Sequence, residues 1–379
     1  MKIHKWLINI AILFIFFVCS CEKEISNQPF PSTEFIAKGF FSGDYWPTEE
    51  WRNCNPEEVG MDSDKLIELN EEILVLLKLH VDIHSVLIVK NGYIVAEQYY
   101  SDDYGIDSLH SIYSCTKSLT SALLGIAIDQ EYISDENAFV TSFFPEYEIE
   151  NLTEDKQKIT LKHMLTMSAG LEWYELEYLY EDERNTYRQY ESSEDRVKFV
   201  LDRPMVAHPG NEYSYNTGIS QVLSAIIKKS TGVRADSFAL ENIFSPLGIK
   251  KYYWPIDQNG VAYGGNGLRL SSRDMAKFGY LYLKNGMWNG DQIVPQDWVE
   301  LSKQKLIERK DIPGYFYGYH WWVSNENSYS AVGFGGQWIT IFPEHDLVVV
   351  FTNQFTNGND FQWSTAERLL KNYILPSIN

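Results

Sequence analysis

The chain has 379 residues, of which 44% are hydrophobic and 15% aromatic, so it can bury a large core in about two domains or one two-lobed domain. Its formal net charge is −20 at pH 7, and an acidic surface argues against nucleic acid as a partner because it repels phosphates. Neither an H-E-x-x-H sequence nor a C-x-x-C pair occurs, so we predict no metal site and no cofactor.

The N-terminus has the pattern of a bacterial lipoprotein signal peptide over residues 1–20. Lys2 and Lys5 precede an apolar run, Trp6 to Val18, that is short for a membrane span. Small residues before Cys21 are typical of a lipobox, which predicts cleavage there and lipidation of the sulfur. We therefore expect a protein of the bacterial cell envelope, anchored to the membrane by lipid, with an uncleaved anchor helix as the alternative.

Residues 21–60 contain four scattered prolines and are interpreted as a linker and an irregular lead-in. A helix with an apolar face is predicted to begin at Asp62 or Ser63. Two β-rich runs follow, Ser85–Lys90 and Tyr93–Tyr100, separated by Asn-Gly. This dipeptide between two such runs is the strongest short signal for a β-hairpin.

Ser114 and Lys117 form an S-x-x-K sequence at the start of a helical pattern with a strongly apolar face. One helical turn separates the two, so their side chains lie on one face, and the amine can take the hydroxyl proton if it is kept neutral. Two other S-x-x-K sequences begin at Ser20 and Ser302. The first spans the expected cleavage site and the second lies in a charged stretch, so neither is favoured.

Three cysteines remain after the expected cleavage, and lipidation of Cys21 leaves Cys54 and Cys115. Export permits a disulfide between these two. Because Cys115 lies beside Ser114, where small buried residues are common, we expect it to be a free, packed thiol.

The segment 172–195 is rich in both aromatic and acidic residues. It is consistent with a lid over a cleft and equally with an aromatic surface loop. Further along, Pro209-Gly210 predicts a turn that places Tyr213 and Tyr215 on a constrained loop before an apolar helix. A tyrosine held beside a Ser/Lys pair can pass a proton to a leaving group.

Ala331-Val-Gly-Phe-Gly-Gly-Gln337 begins a predicted strand near the C-terminus. Glycine allows the backbone to approach a ligand closely, and an edge strand here would offer free N–H groups. One such N–H, together with that of Ser114, would form an oxyanion hole. An ordinary glycine-rich bulge at a strand start is the alternative.

Strands are also predicted at Gln337–Phe342 and Leu347–Thr352, followed by a final helix around Ala366–Ile374. The expected fold class is α+β, with one antiparallel sheet flanked by N- and C-terminal helices. A largely helical second lobe would span about 115–270 within a domain of residues 61–379. A cleft between the lobes is the default site.

In this order and at these separations, the segments around Ser114, Tyr215 and Gly333 resemble the serine β-lactamase and penicillin-binding-protein superfamily. The nearest branch is class C β-lactamase-like, which includes esterases, D-amino-acid peptidases and 6-aminohexanoate-oligomer hydrolases. The resemblance covers about residues 61–375 and implies a β-lactamase/transpeptidase-like fold. It implies an acyl-enzyme on Ser114, with Lys117 and Tyr215 as acid and base.

The same resemblance implies an oxyanion hole from the N–H groups of Ser114 and Phe334. It also implies further contacts to substrate, at Thr217, Gly267, Gly333 and Gly335.

Two positions depart from the pattern of lactamases in this family. Thr217 stands where Asn is usual, and Ala331 stands where a Lys or His normally meets a substrate carboxylate. We therefore expect an exported serine hydrolase for a small ester, amide or peptide-like substrate. The alternatives are a non-hydrolytic penicillin-binding or sensor protein, and a true β-lactamase or D-amino-acid peptidase. His110 and His208 are expected to be ordinary residues, since no G-x-S-x-G elbow occurs.

Overall fold

An antiparallel sheet organises the part of the chain that the computed structural model describes, residues 35–310, 312–354 and 359–379. The strands are β1 (Ile83–Lys90), β2 (Tyr93–Tyr99), β3 (His110–Ser111), β4 (Arg269–Leu270), β5 (Met287–Trp288), β6 (Asp291–Gln292), β7 (Ile307–Glu308), β8 (Tyr315–Tyr317), β9 (Trp322–Ser324), β10 (Tyr329–Gly333), β11 (Gln337–Phe342) and β12 (Leu347–Asn353). Eight of these described strands form the sheet in the order β2-β1-β12-β11-β10-β9-β8-β7, so the two ends of the domain meet at its centre. Small two-stranded ribbons join β3 to β4 and β5 to β6.

Helices cover both faces of this sheet. They are α1 (Ser63–Lys78), α2 (Thr116–Asp129), α3 (Glu154–Gln157), α4 (Leu161–Leu165), α5 (Thr186–Glu191), α6 (Arg196–Asp202), α7 (Thr217–Thr231), α8 (Ala235–Ala239), α9 (Ser272–Leu283), α10 (Gln296–Ser302) and α11 (Asn359–Leu369). Short 3-10 helices span Pro56–Val59, Tyr113–Cys115, Val140–Phe143, Pro343–His345 and Leu375–Ser377, and π turns span Leu240–Phe244 and Leu370–Ile374. None of the helices in the described part of the chain combines the length and apolarity that a membrane crossing requires.

The central hairpins follow from local sequence. Asn91 and Gly92 both have positive φ, 51° and 82°, as the two-residue turn between β1 and β2 requires. Every residue of β1 is buried, and its centre, Val86 to Val89, is a continuous apolar run. β11 pairs with β12 across a short 3-10 helix that ends at Asp346 in the left-handed region.

Terminal helical segments pack on one face of the sheet. The side chain of Asp62 caps α1 by accepting from the backbone N–H groups of Asp64 and Lys65. Buried leucines and isoleucines of α1 share a cluster with Leu370 and Ile374 near the C-terminus. The predicted α+β fold, an antiparallel sheet flanked by terminal helices, is thereby confirmed.

Residues 35–60, within the segment predicted as a linker and an irregular lead-in, are largely irregular and pack against the sheet. The described residues from Phe35 onward all fall in one compact unit. The backbone N–H of Ala37 donates to Val95, and that of Cys54 donates to Ile94, so this segment lies along β2. It is held because burial of Phe35, Trp51 and Cys54 offsets the entropy of ordering an irregular segment.

The largely helical part of the domain lies between β3 and β4. The chain leaves the sheet region at β3 and returns at β4, and these two strands pair antiparallel with His110 opposite Leu270. This pairing holds the ends of the helical segment together. It also fixes the chain just before Ser114.

Helix α2 is the most deeply buried helix of this region, since every residue from Thr116 to Ala127 is buried. Gly125 allows Trp298 of α10 to pack directly against the helix. A methyl group placed on Gly125 would lie 2.4 Å from the Trp298 ring, which is inside van der Waals contact.

Substituting Gly125→Ala should destabilise the domain by about 1–3 kcal/mol, because the added methyl group forces Trp298 or α2 to shift. Urea denaturation followed by tryptophan fluorescence measures this change. Gly105→Ala is the matched control, since a methyl group there meets no atom within 4 Å and should leave the midpoint nearly unchanged. Equal midpoints for both variants would contradict the packing argument.

Candidate active site

Ser114 lies in the 3-10 helix Tyr113–Cys115, immediately before α2. Tyr113 has a positive φ of 44°, which is rare for a residue with a side chain and is typical of functional sites. The Thr116 hydroxyl donates to the Tyr113 carbonyl at 2.6 Å and holds this turn. The Ser114 side chain remains partly exposed, while its neighbour Cys115 is a free, buried thiol, as expected.

Lys117 is almost fully buried in the first turn of α2, directly behind Ser114. Its Nζ lies 3.0 Å from Ser114 Oγ, 3.0 Å from Thr217 Oγ1 and 2.8 Å from the Gly265 carbonyl oxygen. A neutral amine has two N–H groups and one lone pair. With the two N–H groups on Thr217 and Gly265, the lone pair is directed at the hydroxyl of Ser114.

Burial lowers the pKa of Lys117 to about 8, because desolvation disfavours the charged form. The nearby carboxylate of Glu175 raises the pKa and opposes this effect without overcoming it. A substantial fraction of the amine is therefore neutral just above neutral pH. Such a lysine can act as a general base for an adjacent hydroxyl.

Tyr215 lies on the loop that leads into α7, where Asn216 caps the helix by accepting from the N–H of Ile219. Lys117 Nζ lies 4.9 Å from the centroid of the Tyr215 ring. Burial raises the pKa of Tyr215 well above its ordinary value, Glu175 raises it further, and a side-chain hydrogen bond with Ser114 opposes the rise. Tyr215 therefore stays protonated at neutral pH. Tyr213, the alternative tyrosine, packs against Tyr317 instead.

Thr217 connects the lysine to a buried carboxylate. Its Oγ1 accepts from Lys117 and donates to Glu175 Oε1 at 2.6 Å, and its backbone N–H donates to Glu175 Oε2 at 2.8 Å. The structure thus places Thr217 behind Lys117, in a different position from the substrate contact predicted from sequence. It forms one link in a chain of hydrogen bonds from Ser114 to Glu175.

Glu175 is the main site residue that the sequence analysis did not identify. Its carboxylate is buried and also accepts from Trp173 Nε1 at 2.8 Å. The backbone carbonyl of the same residue accepts from Asn185, which ties the segment in place. A signal was present in the sequence, because Glu175 lies in the aromatic and acidic segment 172–195, but nothing distinguished it there from its exposed acidic neighbours.

The third predicted segment, Ala331–Gln337, lies beside Ser114. The sequence predicted an edge strand here, but β10 lies inside the sheet, between β11 and β9. β10 pairs with β11 along its length, but it pairs with β9 only at Tyr329 and Ser330. Its last residues lie against the chain before Ser114, where a methyl group on Gly333 would be 2.3 Å from the Ile112 carbonyl oxygen. Only glycine permits this close approach.

Phe334 and Gly335 continue from β10 into the turn before β11. The Phe334 ring contacts Tyr113 at 5.7 Å and Tyr180 at 5.4 Å between centroids, so it lies at the mouth of the site. Gly335 has a φ of 78° and makes the turn possible.

Gly265, rather than the predicted Gly267, contacts the catalytic group. The Gly265 carbonyl accepts from Lys117, and a methyl group on this residue would lie 2.6 Å from Thr217. Gly267 has a φ of 86° and lies against Pro255. Its role is therefore to turn the chain, and the predicted substrate contact at Gly267 is not supported.

A cavity of about 310 Å³ opens on Ser114. Its wall is largely aromatic and includes Tyr180, Tyr215, Trp322, Phe334, Trp338 and Trp363. Leu176 and Tyr180 come from the segment 172–195, so this segment covers part of the cavity, which favours the lid interpretation over a surface loop. A mostly apolar wall with a few polar groups is typical of small-molecule sites.

His110 and His208 do not contact the catalytic groups. His110 is buried against His84, with 2.8 Å between ring nitrogens, and the exposed His208 pairs with Asp155. Residues 1–20 and Cys21, the predicted signal peptide and lipidation site, lie outside the described residues.

The Beta-lactamase family model matches residues 83–371, which is most of the chain. The chain belongs to the beta-lactamase family.

Individual relatives are distant from this chain. It is 23% identical over 295 residues to a 6-aminohexanoate-dimer hydrolase from Paenarthrobacter ureafaciens, covering 73% of this chain and 74% of the relative. An octameric penicillin-binding protein homologue from Pyrococcus abyssi superposes with a TM-score of 0.66 at 20% identity, over 80% of this chain and 76% of that chain. EstCE1, a hydrolase with promiscuous acyltransferase activity, superposes with a TM-score of 0.64 at 14% identity, over 77% and 93% of the two chains.

These findings confirm the predicted resemblance and the β-lactamase/transpeptidase-like fold. They also confirm the prediction of a serine hydrolase of the β-lactamase-like type. The roles of the individual residues rest on the geometry described above.

The carboxylate of Glu175 should set the pH at which Lys117 becomes a base. We expect kcat/KM for ester hydrolysis to rise with pH through about 8 in the parent protein, as Lys117 loses its proton. In Glu175→Gln the carboxylate that raises this pKa is gone, so the rise should shift to lower pH. The maximal rate should also fall, because an amide cannot accept every donor that the carboxylate accepts.

Glu181→Gln is the matched control, since it removes an exposed carboxylate from the same segment. This variant should keep the parent profile. An unchanged midpoint in Glu175→Gln would show that the carboxylate does not act on the titrating group.

Proposed function

We propose that this protein hydrolyses a small ester or amide through a covalent acyl-enzyme on Ser114. One observation carries the proposal: a buried lysine with a lowered pKa lies 3.0 Å from a hydroxyl that opens on an apolar cavity. This arrangement activates a serine without histidine.

In the first half of the reaction, neutral Lys117 takes the proton of Ser114, and Oγ attacks the carbonyl carbon of the substrate. The N–H groups of Ser114 and Phe334 stabilise the oxyanion that forms. Tyr215, kept protonated by its raised pKa, donates its proton to the leaving alkoxide or amine. The Lys117 ammonium then returns a proton to Tyr215.

In the second half, water replaces the leaving group and is deprotonated by the same groups. It attacks the acyl carbon, and the bond between that carbon and Ser114 Oγ breaks. Ser114 regains its proton and the carboxylic acid product leaves. The chain of hydrogen bonds through Thr217 to Glu175 keeps Lys117 oriented during both halves.

The substrate class follows from the cavity wall and from the relatives. Aromatic walls favour an apolar acyl chain, and one relative is named a 6-aminohexanoate-dimer hydrolase. Ala331 is buried and cannot replace the cation that lactamases of the family carry at this position. A β-lactamase or D-amino-acid peptidase is therefore the less favoured alternative.

Hydrolysis of 4-nitrophenyl hexanoate by the protein from residue 22 onward tests the proposal. Ser114→Ala should lower turnover by at least about a thousandfold, because the nucleophile is lost, while the far-ultraviolet circular dichroism stays the same. Ser302→Ala, which removes the serine of another S-x-x-K sequence, should retain parent activity.

Each outcome distinguishes between the candidate functions. Equal turnover by parent and Ser114→Ala would place the reaction elsewhere. If neither protein hydrolyses esters or amides but the parent forms a stable adduct with a β-lactam at Ser114, the non-hydrolytic penicillin-binding or sensor function replaces this one.

We also propose that the enzyme works in the bacterial cell envelope, anchored by lipid on Cys21. The proposal is supported by the two lysines, the short apolar run and the small residues before Cys21. A lipid anchor fits a substrate that reaches the enzyme outside the cytoplasm.

Replacing the lipidated cysteine should release the protein from membranes. In cells that express the full chain, Cys21→Ser should move the protein from the membrane fraction to the soluble fraction and abolish labelling by a palmitate analogue. Cys19→Ser keeps Cys21 and should remain labelled and membrane-bound. Labelling of the Cys21→Ser variant would contradict the assignment.

A further inference from the structure

A second chain of hydrogen bonds ends at Lys117, apart from the one that runs through Thr217 to Glu175. Its last link is the Gly265 carbonyl oxygen, which accepts from Lys117 Nζ at 2.8 Å. Its central link is Gln221 on α7, whose side chain is completely buried. Because residues four apart share one face of a helix, Gln221 lies on the same face of α7 as Thr217, one turn further along.

The amide of Gln221 joins a half-buried carboxylate to the backbone beside Gly265. Its Nε2 donates to Asp257 Oδ2 at 2.9 Å, and its Oε1 accepts from the backbone N–H of Gly264 at 2.9 Å. Asp257 is itself fixed, since its Oδ1 accepts from two backbone N–H groups of the turn that follows it. A carboxylate only accepts and a backbone N–H only donates, so one orientation of the amide satisfies both partners.

Gly264 and Gly265 need this support because they are two glycines in a row. A methyl group on Gly264 would lie 1.9 Å from a backbone carbonyl oxygen of α7, and one on Gly265 would lie 2.6 Å from Thr217 Cγ2. Neither position has room for a side chain, yet glycine has the greatest backbone freedom. Hydrogen bonds limit that freedom, since Gln221 accepts from the Gly264 N–H and the Thr120 hydroxyl donates to the Gly264 carbonyl at 2.7 Å. The carbonyl that accepts from the lysine is the next one along this fixed backbone.

We propose that Gln221 is a positioning residue that fixes the Gly265 carbonyl against Lys117. With one N–H held there and the other on Thr217, the lone pair of the amine stays directed at Ser114. The proposal rests on the proposed function and adds to it a second support for the base. Without the carbonyl, the neutral amine is free to turn its lone pair away from the hydroxyl, and the ammonium loses a partner that stabilises its charge.

Hydrolysis of 4-nitrophenyl hexanoate as a function of pH tests this role. Gln221→Met nearly keeps the size of the side chain and removes both of its hydrogen bonds. We expect kcat to fall about tenfold, which is the size of effect of one hydrogen bond, while KM stays within about twofold. The midpoint of the pH profile of kcat/KM should move to lower pH, because burial then acts on an ammonium with one partner fewer.

Asp257→Asn tests the chain of hydrogen bonds from its other end. With its oxygen kept on the two backbone N–H groups, the asparagine presents an NH2 group to the NH2 group of Gln221, so no orientation of the glutamine satisfies both partners. This variant should show the same changes as Gln221→Met, to an equal or smaller extent. The double variant should be no slower than Gln221→Met, because both substitutions break one chain. Since Asp257 is only half-buried, this variant also decides the question if Gln221→Met does not fold.

Ser224→Ala is the matched control. The Ser224 hydroxyl is buried on α7 and donates to the Ala262 carbonyl at 2.7 Å. The substitution therefore removes a hydrogen bond from the same helix to the same segment, two residues before Gly264. Both kcat and the midpoint should equal those of the parent, because the Gly265 carbonyl keeps its support.

A parent-like kcat and midpoint in Gln221→Met would overturn the positioning role. Equal losses in Gln221→Met and Ser224→Ala would also overturn it, since they would indicate general support of the fold. A double variant slowed by the product of the two single effects would do the same. Each of these results leaves the hydrolase intact, whereas a parent that fails to hydrolyse the ester would overturn the proposed function, and the positioning role with it.

Discussion

The desolvation of one lysine determines most of what this active site can do. Lys117 is almost completely buried, so its charged form is disfavoured, and its pKa falls to about 8. A buried amine is tolerated only where its hydrogen bonds are provided, and its partners are Ser114, Thr217 and the Gly265 carbonyl. Close packing is therefore needed on every side of it. That need explains the fully buried start of α2 and the absence of a side chain at Gly265.

The parts of the fold and the site that were predictable are the local ones. The Asn91-Gly92 turn and the spacing of Ser114 and Lys117 are each encoded within a few residues, and the structure has them where they were predicted. Glu175 and Gly265 were not found, because they reach Lys117 or Thr217 only through tertiary folding. Glu175 lies 42 residues before Thr217 in the chain, and Gly265 lies 148 residues after Lys117. No periodicity or motif in a single sequence reports contacts of that kind.

The pairing of the strands was also not predictable from the sequence, because it depends on contacts between distant segments. The sequence favoured an edge strand at the third motif, yet β9, β8 and β7 extend the sheet beyond β10. These strands have two or three residues each, too few to show the alternation by which a strand is recognised. The oxyanion donor expected at this motif stays a prediction. It is compatible with the structure, since β10 loses its pairing with β9 after Ser330 and meets the segment that carries Ser114.

Electrostatic effects in the site act in opposite directions on its two titratable groups. Burial lowers the pKa of Lys117 and raises that of Tyr215, because one is charged when protonated and the other when deprotonated. Glu175 raises the pKa of both groups. It therefore opposes the effect of burial on Lys117 and adds to the effect of burial on Tyr215. At a pH slightly above 8 the lysine is mostly neutral while the tyrosine keeps its proton. That order supports the proposed roles of Lys117 as the base and Tyr215 as the acid, and a change in the shared carboxylate should shift the pKa values of both groups in the same direction.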